Sequence, residues 1–265
     1  MATLHECRGR VRSRKQNLMS TQKKPTRTKQ AAKAPTKNLV SASEKSTAKR
    51  ATPKKRSTSG TESRQRILNV ATQEFSVKGY DGARVDDIMR IAKVSKNLIY
   101  HYFGSKEQLF VAVLEAAYLK MLDYHNSWSL DQVQPAQGVS KVIRATFEYW
   151  DKSPEFIGLL NSENFHRGKH LRKSKLTREG YSGLVEKLAQ LLKQGEKTGE
   201  FRPSVDPVEL YVSISALAYH YLSNRYTLAY LLDRKLSTED DKNARILHIE
   251  SIILGYLRAG TQPKK

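Results

Sequence analysis

The stretch from Val85 to Phe110, VDDIMRIAKVSKNLIYHYFGSKEQLF, decides the fold of this chain. Apolar residues recur from Val85 to Ala92 at the spacing of one helical face. A turn follows at Lys93-Val94, and Ser95 can cap a second helix through its hydroxyl. The stretch therefore predicts two short helices joined by a tight turn.

The second of these helices, Lys96–Phe103, divides into two faces when it is wound at about 3.6 residues per turn. Ile99 and Phe103 fall on one side as an apolar anchor, and polar side chains fall on the other. Such a helix suits the major groove of DNA, where asparagine can pair with adenine and an apolar group can contact a thymine methyl. The alternative is a helical hairpin whose aromatic residues are simply core. The predicted DNA contacts on this helix are Asn97, Leu98, Tyr100, His101 and Tyr102.

Further DNA contacts are predicted around this helix. Gly104 favours a helix end, and Ser105 followed by Gln108 is a capping-box pattern, so a third helix starts at once. Lys106 lies in its first turn, where free N–H groups and the helix dipole favour an anion such as a phosphate. The other predicted DNA contacts are Arg84, Ser95 and Lys96.

These residues, together with RQRIL from Arg64 and FSVKGYDG from Phe75, resemble the tetracycline-repressor (TetR) family over about residues 63–118. The resemblance implies an all-helical homodimer that binds DNA through paired recognition helices. It also implies release of the DNA when a small molecule enters a C-terminal domain. Two positions depart from the usual pattern: Arg84 stands where a capping Thr is common, and Asn97-Leu98 where a small residue and Thr often sit.

The net charge of +21 predicts affinity for nucleic acid. Residues 1–60 hold 17 basic and 2 acidic residues, so the rest of the chain carries only +6. This segment has too little apolar surface to offset chain entropy, and we predict that it is a disordered basic tail. Three interpretations remain open: an arm that contacts DNA phosphates, an extension without a specific role, and a start site placed upstream of Met19.

Several functional classes lack their sequence signatures. Cys7 is the only cysteine, which excludes an intrachain disulfide and fits a reducing cytoplasm. No apolar run approaches the roughly 18 to 20 residues of a membrane span. No phosphate-binding glycine loop or Gly-x-Ser-x-Gly elbow occurs, so we predict no enzyme. His166 and His170 are spaced i, i+4, but two ligands make a weak metal site, and we predict neither a metal nor a cofactor.

The chain divides into three predicted parts: a tail over residues 1–60, a helix-turn-helix domain over 61–108, and an effector-binding and dimerisation domain over 109–260. No segment alternates with the period of a strand, so the predicted fold is all-α. The expected helices are Ser63–Ser76, the three described above with the last reaching about Trp128, Pro135–Lys152, Pro154–His166, Leu171–Thr198, Pro207–Tyr230 and Thr238–Arg258.

Aromatic and polar residues gather in the helices that follow the linker helix, as a small aromatic ligand requires. The segment 159–173 is similar to one in the family branch that includes repressors of pyrimidine use and nicotinate breakdown, which implies a nitrogen heterocycle or aromatic acid as effector. The alternative is that the aromatic residues are core and that Glu163 and Asn164 hold helix ends. The predicted effector pocket consists of Phe147, Trp150, Phe156, Glu163, Asn164, His166 and Tyr181.

The last two long helices are apolar around more of their surface than one neighbouring face can cover, which predicts burial against a second copy. Burial inside their own subunit is the alternative. Dimerisation would place two recognition helices about 34–36 Å apart, the spacing of successive major grooves. The predicted dimer interface consists of Leu210, Ile214, Leu217, Tyr221, Ile249, Ile253 and Tyr256.

Taken together, these patterns predict a cytoplasmic, dimeric transcriptional regulator that binds double-stranded DNA without contacting a membrane. Repression relieved by a small-molecule effector is the favoured mechanism. The alternative is a sequence-tolerant nucleoid or architectural protein driven by the basic tail.

Overall fold

The computed structural model describes residues 54–127, 129, 133–174 and 179–260, with side chains from Gly60 onward except at 179–182. The predicted tail thus falls almost entirely outside the described residues. The described ranges belong to one compact unit that begins at Ala51. They contain helices and no strand, which confirms the all-α prediction. The helices are α1 (Lys54–Gly82), α2 (Val85–Ala92), α3 (Lys96–Phe103), α4 (Lys106–Asn126), α5 (Pro135–Lys152), α6 (Pro154–Phe165), a 3-10 helix (Leu171–Lys173), α7 (Glu179–Thr198), α8 (Pro207–Ser223), α9 (Arg225–Leu231) and α10 (Glu239–Arg258).

Helices α1 to α3 and the first half of α4 share one hydrophobic core, and we call them the N-terminal unit. Ile88 of α2 and Ile99 of α3 both pack into this core, which is why two helices of only eight residues can be stable. The largest fully buried side chains of this unit are Ile67, Phe75, Ile88, Ile99, Leu109, Phe110 and Leu114.

The second half of α4 and helices α5 to α10 enclose a second core, and we call them the C-terminal unit. Helix α5 is amphipathic, and its apolar side packs against α7, α8 and α10. The buried apolar side chains that α5 contributes are Val139, Val142, Ile143, Phe147, Tyr149 and Trp150.

Two predicted helices are interrupted. The helix expected over Leu171–Thr198 starts as a 3-10 helix that gives way to extended backbone at Ser174, and its described remainder is α7, Glu179–Thr198. The helix expected over Pro207–Tyr230 breaks at Asn224, whose side chain donates a hydrogen bond to the carbonyl of His220 at 3.0 Å. Asparagine side chains compete with helical hydrogen bonds in this way, and the helix restarts as α9.

Two helix starts follow their sequence signals. Asp206 caps α8 immediately before Pro207, and its side chain accepts hydrogen bonds from the backbone N–H groups of Val208 and Glu209. This is the arrangement that the capping rules predict. Thr238 and Asp241 form a reciprocal capping box that fixes the start of α10. These caps set where the C-terminal helices begin and hence which of their faces are exposed.

The N-terminal and C-terminal units meet where α6 crosses α1. Gly158 of α6 lies directly on the backbone carbonyl of Ser76, so a side chain at position 158 would overlap that oxygen. On either side of this contact, Glu155 accepts a hydrogen bond from Gln73 and Ser162 accepts one from the backbone N–H of Tyr80. We call this region the junction; it fixes the position of the N-terminal unit on the C-terminal unit.

Among the described helices, none is both long and apolar enough to cross a lipid bilayer.

We expect Gly158→Ala to destabilise the protein by about 1–3 kcal/mol, because the added methyl group forces α6 away from α1. The measurement is the free energy of unfolding in urea. Gly183→Ala is the matched control, since it lies within α7 and its new methyl group would meet only Asn126 Oδ1 at 3.9 Å. The control should be neutral or stabilising by up to about 1 kcal/mol, the ordinary helical advantage of alanine. Equal stability of the two variants would contradict the close contact.

Candidate nucleic-acid interface and effector region

Helices α2 and α3 form a helix-turn-helix. Lys93 adopts the left-handed conformation with φ of 53° and ends α2, and its backbone N–H donates to the Arg90 and Met89 carbonyls. Ser95 then caps α3, with its hydroxyl oxygen accepting a hydrogen bond from the backbone N–H of Leu98 at 3.2 Å. The predicted contact residue Ser95 thus holds the start of the recognition helix.

The two faces of α3 divide as the winding predicts for most positions. Ile99 and Phe103 are buried, whereas Asn97 and His101 are exposed. Tyr102 differs from the prediction, because it is half-buried and packs on the N-terminal core at the flank of the helix. The surface that α3 offers outward, which we call the recognition face, consists of Asn97, Leu98, Tyr100 and His101.

Lys96 is already engaged within the protein. Its Nζ lies 2.8 Å from the Asp86 carboxylate on α2, and the hydrogen bond raises the pKa of Lys96 above its ordinary value. A DNA phosphate therefore has to compete with Asp86 for this ammonium group. Arg84 is exposed at the start of α2 and makes no side-chain capping bond.

Lys106 is also engaged within the N-terminal unit. Its Nζ lies 4.9 Å from the centre of the Tyr80 ring and 3.4 Å from the carbonyl oxygen of Asp81. Partial burial lowers the pKa of Lys106, and the Asp81 carboxylate opposes that shift. This lysine thus ties the start of α4 to the end of α1.

Two arginines that sequence reasoning did not single out as site residues brace the recognition helix from behind. The guanidinium of Arg64 lies 5.0 Å from the centre of the Phe103 ring. Arg66 donates a hydrogen bond from Nε to the carbonyl of Ala92 at 3.0 Å, at the end of α2. Both belong to the RQRIL motif, but the spacing alone does not show what they contact.

The structure brings three of the predicted pocket residues into one aromatic region. The ring centre of Phe156 lies 5.2 Å from that of Trp150, and Tyr118 and Tyr219 extend the region at 5.2 Å from Phe156 and Trp150, respectively. Phe147 lies nearly one turn before Trp150 on α5, and its ring centre is 6.0 Å from that of Tyr221. We call these six residues the aromatic region.

Buried polar groups lie on the helices α4, α5 and α8 that also carry residues of the aromatic region. Thr146 Oγ1 and Ser215 Oγ have no hydrogen-bond partner within the described part of the chain, so each could serve a bound molecule. Burial lowers the pKa of His125 to about 4, so this imidazole is neutral at physiological pH, and burial raises the pKa of Tyr118 to about 12. The sequence analysis did not single out Ser215, His125 or Tyr118 for the pocket, because their spacing resembles that of ordinary core positions.

Three other predicted pocket residues make their hydrogen bonds and ion pairs outside the aromatic region, although the charge of Glu163 helps to raise the pKa of Tyr118. Glu163 is buried and accepts hydrogen bonds from the backbone of His170 and Leu171. Asn164 is exposed and donates to the carbonyl of Leu160. His166 faces Asp81 at the junction. The backbone of Tyr181 lies in α7, but its side chain is outside the described residues.

Five of the predicted interface residues are buried in the single subunit: Leu210, Ile214, Tyr221, Ile249 and Ile253. Of these, Leu210 and Ile253 also line the groove between α8 and α10. Leu217 is half-buried and Tyr256 is exposed. The faces of α8 and α10 that point outward carry other apolar residues, and the groove between the two helices has a volume of about 610 Å³. We call this surface the α8–α10 face; it includes Ser213, Ala216, Leu217, Ile252 and Tyr256.

A capped recognition helix with a buried apolar side and an exposed polar side defines a helix-turn-helix DNA-binding protein. Residues 67–113 match the family described as bacterial regulatory proteins of the tetR family, and residues 135–253 match a tetracyclin repressor-like C-terminal domain. The chain belongs to the TetR family of transcriptional regulators. Homodimers are typical of this family.

Curated relatives and solved structures agree with this assignment. The transcriptional repressor NicS of Pseudomonas putida is 34% identical over 74% of this chain and 92% of its own length. The transcriptional regulator RutR of Escherichia coli is 28% identical over 77% of this chain and 94% of its own. The structure of SCO4942 from Streptomyces coelicolor shares the fold, with a TM-score of 0.56 and 24% identity over 74% of this chain and 98% of that chain.

We expect Asp86→Asn to strengthen binding to arbitrary double-stranded DNA roughly two- to fivefold at low salt, because Lys96 is freed to neutralise one more phosphate. The plot of log affinity against log salt concentration should steepen by about 0.9, the contribution of one phosphate contact. Asp123→Asn is the matched control, since it removes the same charge from an exposed site on α4. An unchanged slope for Asp86→Asn would show that Lys96 does not reach the phosphate backbone.

Proposed function

We propose that this protein is a homodimeric, cytoplasmic repressor that binds a near-palindromic operator and leaves it when a small-molecule effector binds. The observation that carries the DNA-binding part is the recognition face of α3, which is held outward by the burial of Ile99 and Phe103. A TetR-family assignment over both units supports the coupling to an effector.

Within this proposal, Asn97 and His101 read base edges, because they are the exposed hydrogen-bonding groups of α3. Leu98 and Tyr102 form the apolar flanks of the contact. Four other side chains, together with the Ser95 backbone, approach DNA phosphates at the edges of the recognition face. These contacts set the register of α3 in the major groove. These four are Arg84, Lys96, Tyr100 and Lys106.

The proposed effector site is the aromatic region of the C-terminal unit. Aromatic rings of Trp150 and Phe156 offer stacking surfaces, and the free hydroxyls of Thr146 and Ser215 offer hydrogen bonds. A planar nitrogen heterocycle or aromatic acid satisfies both requirements. A groove of about 310 Å³, lined partly by Tyr149 and Phe156, gives access from the side of α1.

The proposed dimer surface is the α8–α10 face. Ile252 and Tyr256 are exposed apolar residues on α10, and Ala216 and Leu217 face them across the groove from α8. A second copy related by a two-fold axis would cover this face with the same residues and form a four-helix contact. The two recognition helices then read the two halves of one operator.

Release of the operator follows if the effector binds one conformer of the protein more tightly than the other. An effector can shift the population only by as much as its affinity for the two conformers differs. The effector would favour a conformer whose recognition helices no longer match the spacing of successive major grooves.

The direct test is a footprint of the full-length protein on the DNA around its own gene at moderate salt. We expect a discrete, symmetric protected site that disappears when planar nitrogen heterocycles or aromatic acids are added one at a time. Uniform protection along the fragment would instead indicate a nucleoid-type protein and contradict the proposal.

We expect Asn97→Ala and His101→Ala each to weaken operator binding roughly 10- to 100-fold, since a good base contact contributes about 1–3 kcal/mol of discrimination. Binding to non-operator DNA should change little. Asn69→Ala, at an exposed position of α1, is the matched control and should leave both affinities unchanged. The measurement is fluorescence anisotropy with operator and scrambled duplexes, and equal losses on both duplexes would exclude base reading.

We expect Ile252→Asp to convert the dimer to a monomer, because it places a charge at the centre of the α8–α10 face without disturbing the buried core. Sedimentation velocity measures the mass. Leu119→Asp, at a similarly exposed apolar position on α4, is the control and should remain dimeric. A dimer that survives in Ile252→Asp would place the interface elsewhere.

A further inference from the structure

Helix α9 leaves its large apolar side chains in water. Tyr226 and Tyr230 lie one turn apart on the same side of the helix, and both are strongly exposed. Leu231 ends the helix and Leu232 follows it, and both are also exposed. We call these four side chains the α9 patch. Apolar residues that are exposed together in this way mark a surface that another molecule covers.

The α9 helix has no core of its own in the single subunit. None of its seven residues is buried. A helix of this length gains little from its own hydrogen bonds, because most helical stability in proteins comes from packing an apolar face. The α9 patch is the only set of apolar side chains with which this helix could do so on its outward side.

Polar contacts nonetheless fix the base of α9. Arg225 Nη1 lies 3.6 Å from Asp151 Oδ1 on α5, and Lys242 of α10 lies 2.8 Å from the other oxygen of that carboxylate. Arg225 also donates a hydrogen bond from Nη2 to the Tyr226 hydroxyl at 3.1 Å. These contacts hold α9 near the start of α10 and leave the α9 patch exposed.

The α9 patch continues the α8–α10 face. His220 is exposed on the same side of α8 as Ser213 and Ala216, from which it is seven and four residues away. The Nδ1 atom of His220 lies 3.4 Å from Nδ2 of Asn224, the single residue that separates α8 from α9. The face therefore runs along α8 to the base of α9.

The α9 patch is large on the scale of a protein interface. A buried aromatic side chain covers about 150–250 Å², so Tyr226 and Tyr230, exposed to 74% and 86%, together offer roughly 300 Å². On the same scale Tyr256 of the α8–α10 face, exposed to 47%, offers roughly 100 Å². A specific interface buries roughly 800 Å² on each partner. The two tyrosines of α9 thus supply more than a third of that area.

We propose that the α9 patch packs on a second copy of this chain and widens the dimer contact beyond the α8–α10 face. Under a two-fold axis each copy contributes its own α9 patch to one shared contact, so both patches are covered together. The exposed charged residues Asp233, Arg234 and Lys235 follow the patch and suit the polar rim of such a contact. This inference rests on the proposed dimer.

The first test is the dimer dissociation constant of the full-length protein, measured by sedimentation velocity over a concentration series. We expect the double variant Tyr226→Ala, Tyr230→Ala to raise this constant roughly 30-fold or more, the effect of losing one aromatic hot spot. Alanine favours the helix and neither residue is buried, so the far-UV circular dichroism should stay unchanged. The double variant Phe165→Ala, Leu119→Ala removes two exposed apolar side chains from α6 and α4 and should dimerise like the wild type.

Hydrogen–deuterium exchange on the peptide that covers residues 225–232 is the second readout. We expect exchange to be roughly tenfold or more slower in the wild-type dimer than in Ile252→Asp, because dissociation uncovers a helix without buried residues. Peptides from α2 and α3 should exchange equally in the two proteins. The same two results are expected when the α9 double variant replaces Ile252→Asp in this comparison.

The outcomes separate this inference from the proposed function. A wild-type dissociation constant in the α9 double variant would overturn the inference and leave the proposed function intact. Dimers that persist in Ile252→Asp but dissociate in the α9 double variant would overturn the proposed dimer surface and leave the α9 contact standing. Wild-type assemblies larger than a dimer that become dimers in the α9 double variant would place the α9 patch between dimers and overturn the inference.

Discussion

The structure depends on one backbone contact, the carbonyl of Ser76 against Gly158. Helices ordinarily pack with their axes about 8–10 Å apart because side chains separate them. A glycine at the crossing removes that separation, and α1 and α6 meet backbone to backbone. Because neither backbone can yield as a flexible side chain would, the position of α6 sets the position of α1 and of the helix-turn-helix that α1 supports.

Helix α6 is also the element that both cores share. Phe156 is buried in the C-terminal core, whereas Leu159, less than one turn further on, is buried in the N-terminal core. Phe156 belongs to the aromatic region, and Gly158 and Ser162 contact α1. A molecule bound at the proposed effector site that displaced Phe156 would thus act on the N-terminal unit through a single turn of helix, with α4 as a second connection.

Sequence reasoning was strongest where the physical signal is local. The winding of α3 separated the buried Ile99 and Phe103 from the exposed Asn97 and His101, and the capping residues Ser95 and Ser105 placed the starts of α3 and α4. These signals lie within a few residues of what they determine. The all-helical class followed from periodicity in the same way.

The sequence was misleading where the partner is distant along the chain. Glu163 looks like a pocket residue from its neighbours, yet its partners are His170 and the backbone of Leu171, and only the fold shows that His170 faces Tyr80. Five of the seven predicted interface residues are buried in the single subunit for a related reason. A helix that is apolar on most sides has two apolar faces, and periodicity does not say which one the subunit covers itself.

The exposed α8–α10 face has a thermodynamic consequence for the single subunit. Apolar groups such as Ile252 and Tyr256 remain in contact with water in one copy, and pairing through the proposed dimer surface would remove them from it. A partner that binds only the folded state stabilises that state by mass action. The melting temperature of such a protein rises with its own concentration, so at the low copy number of a regulator, folding and association form one linked equilibrium.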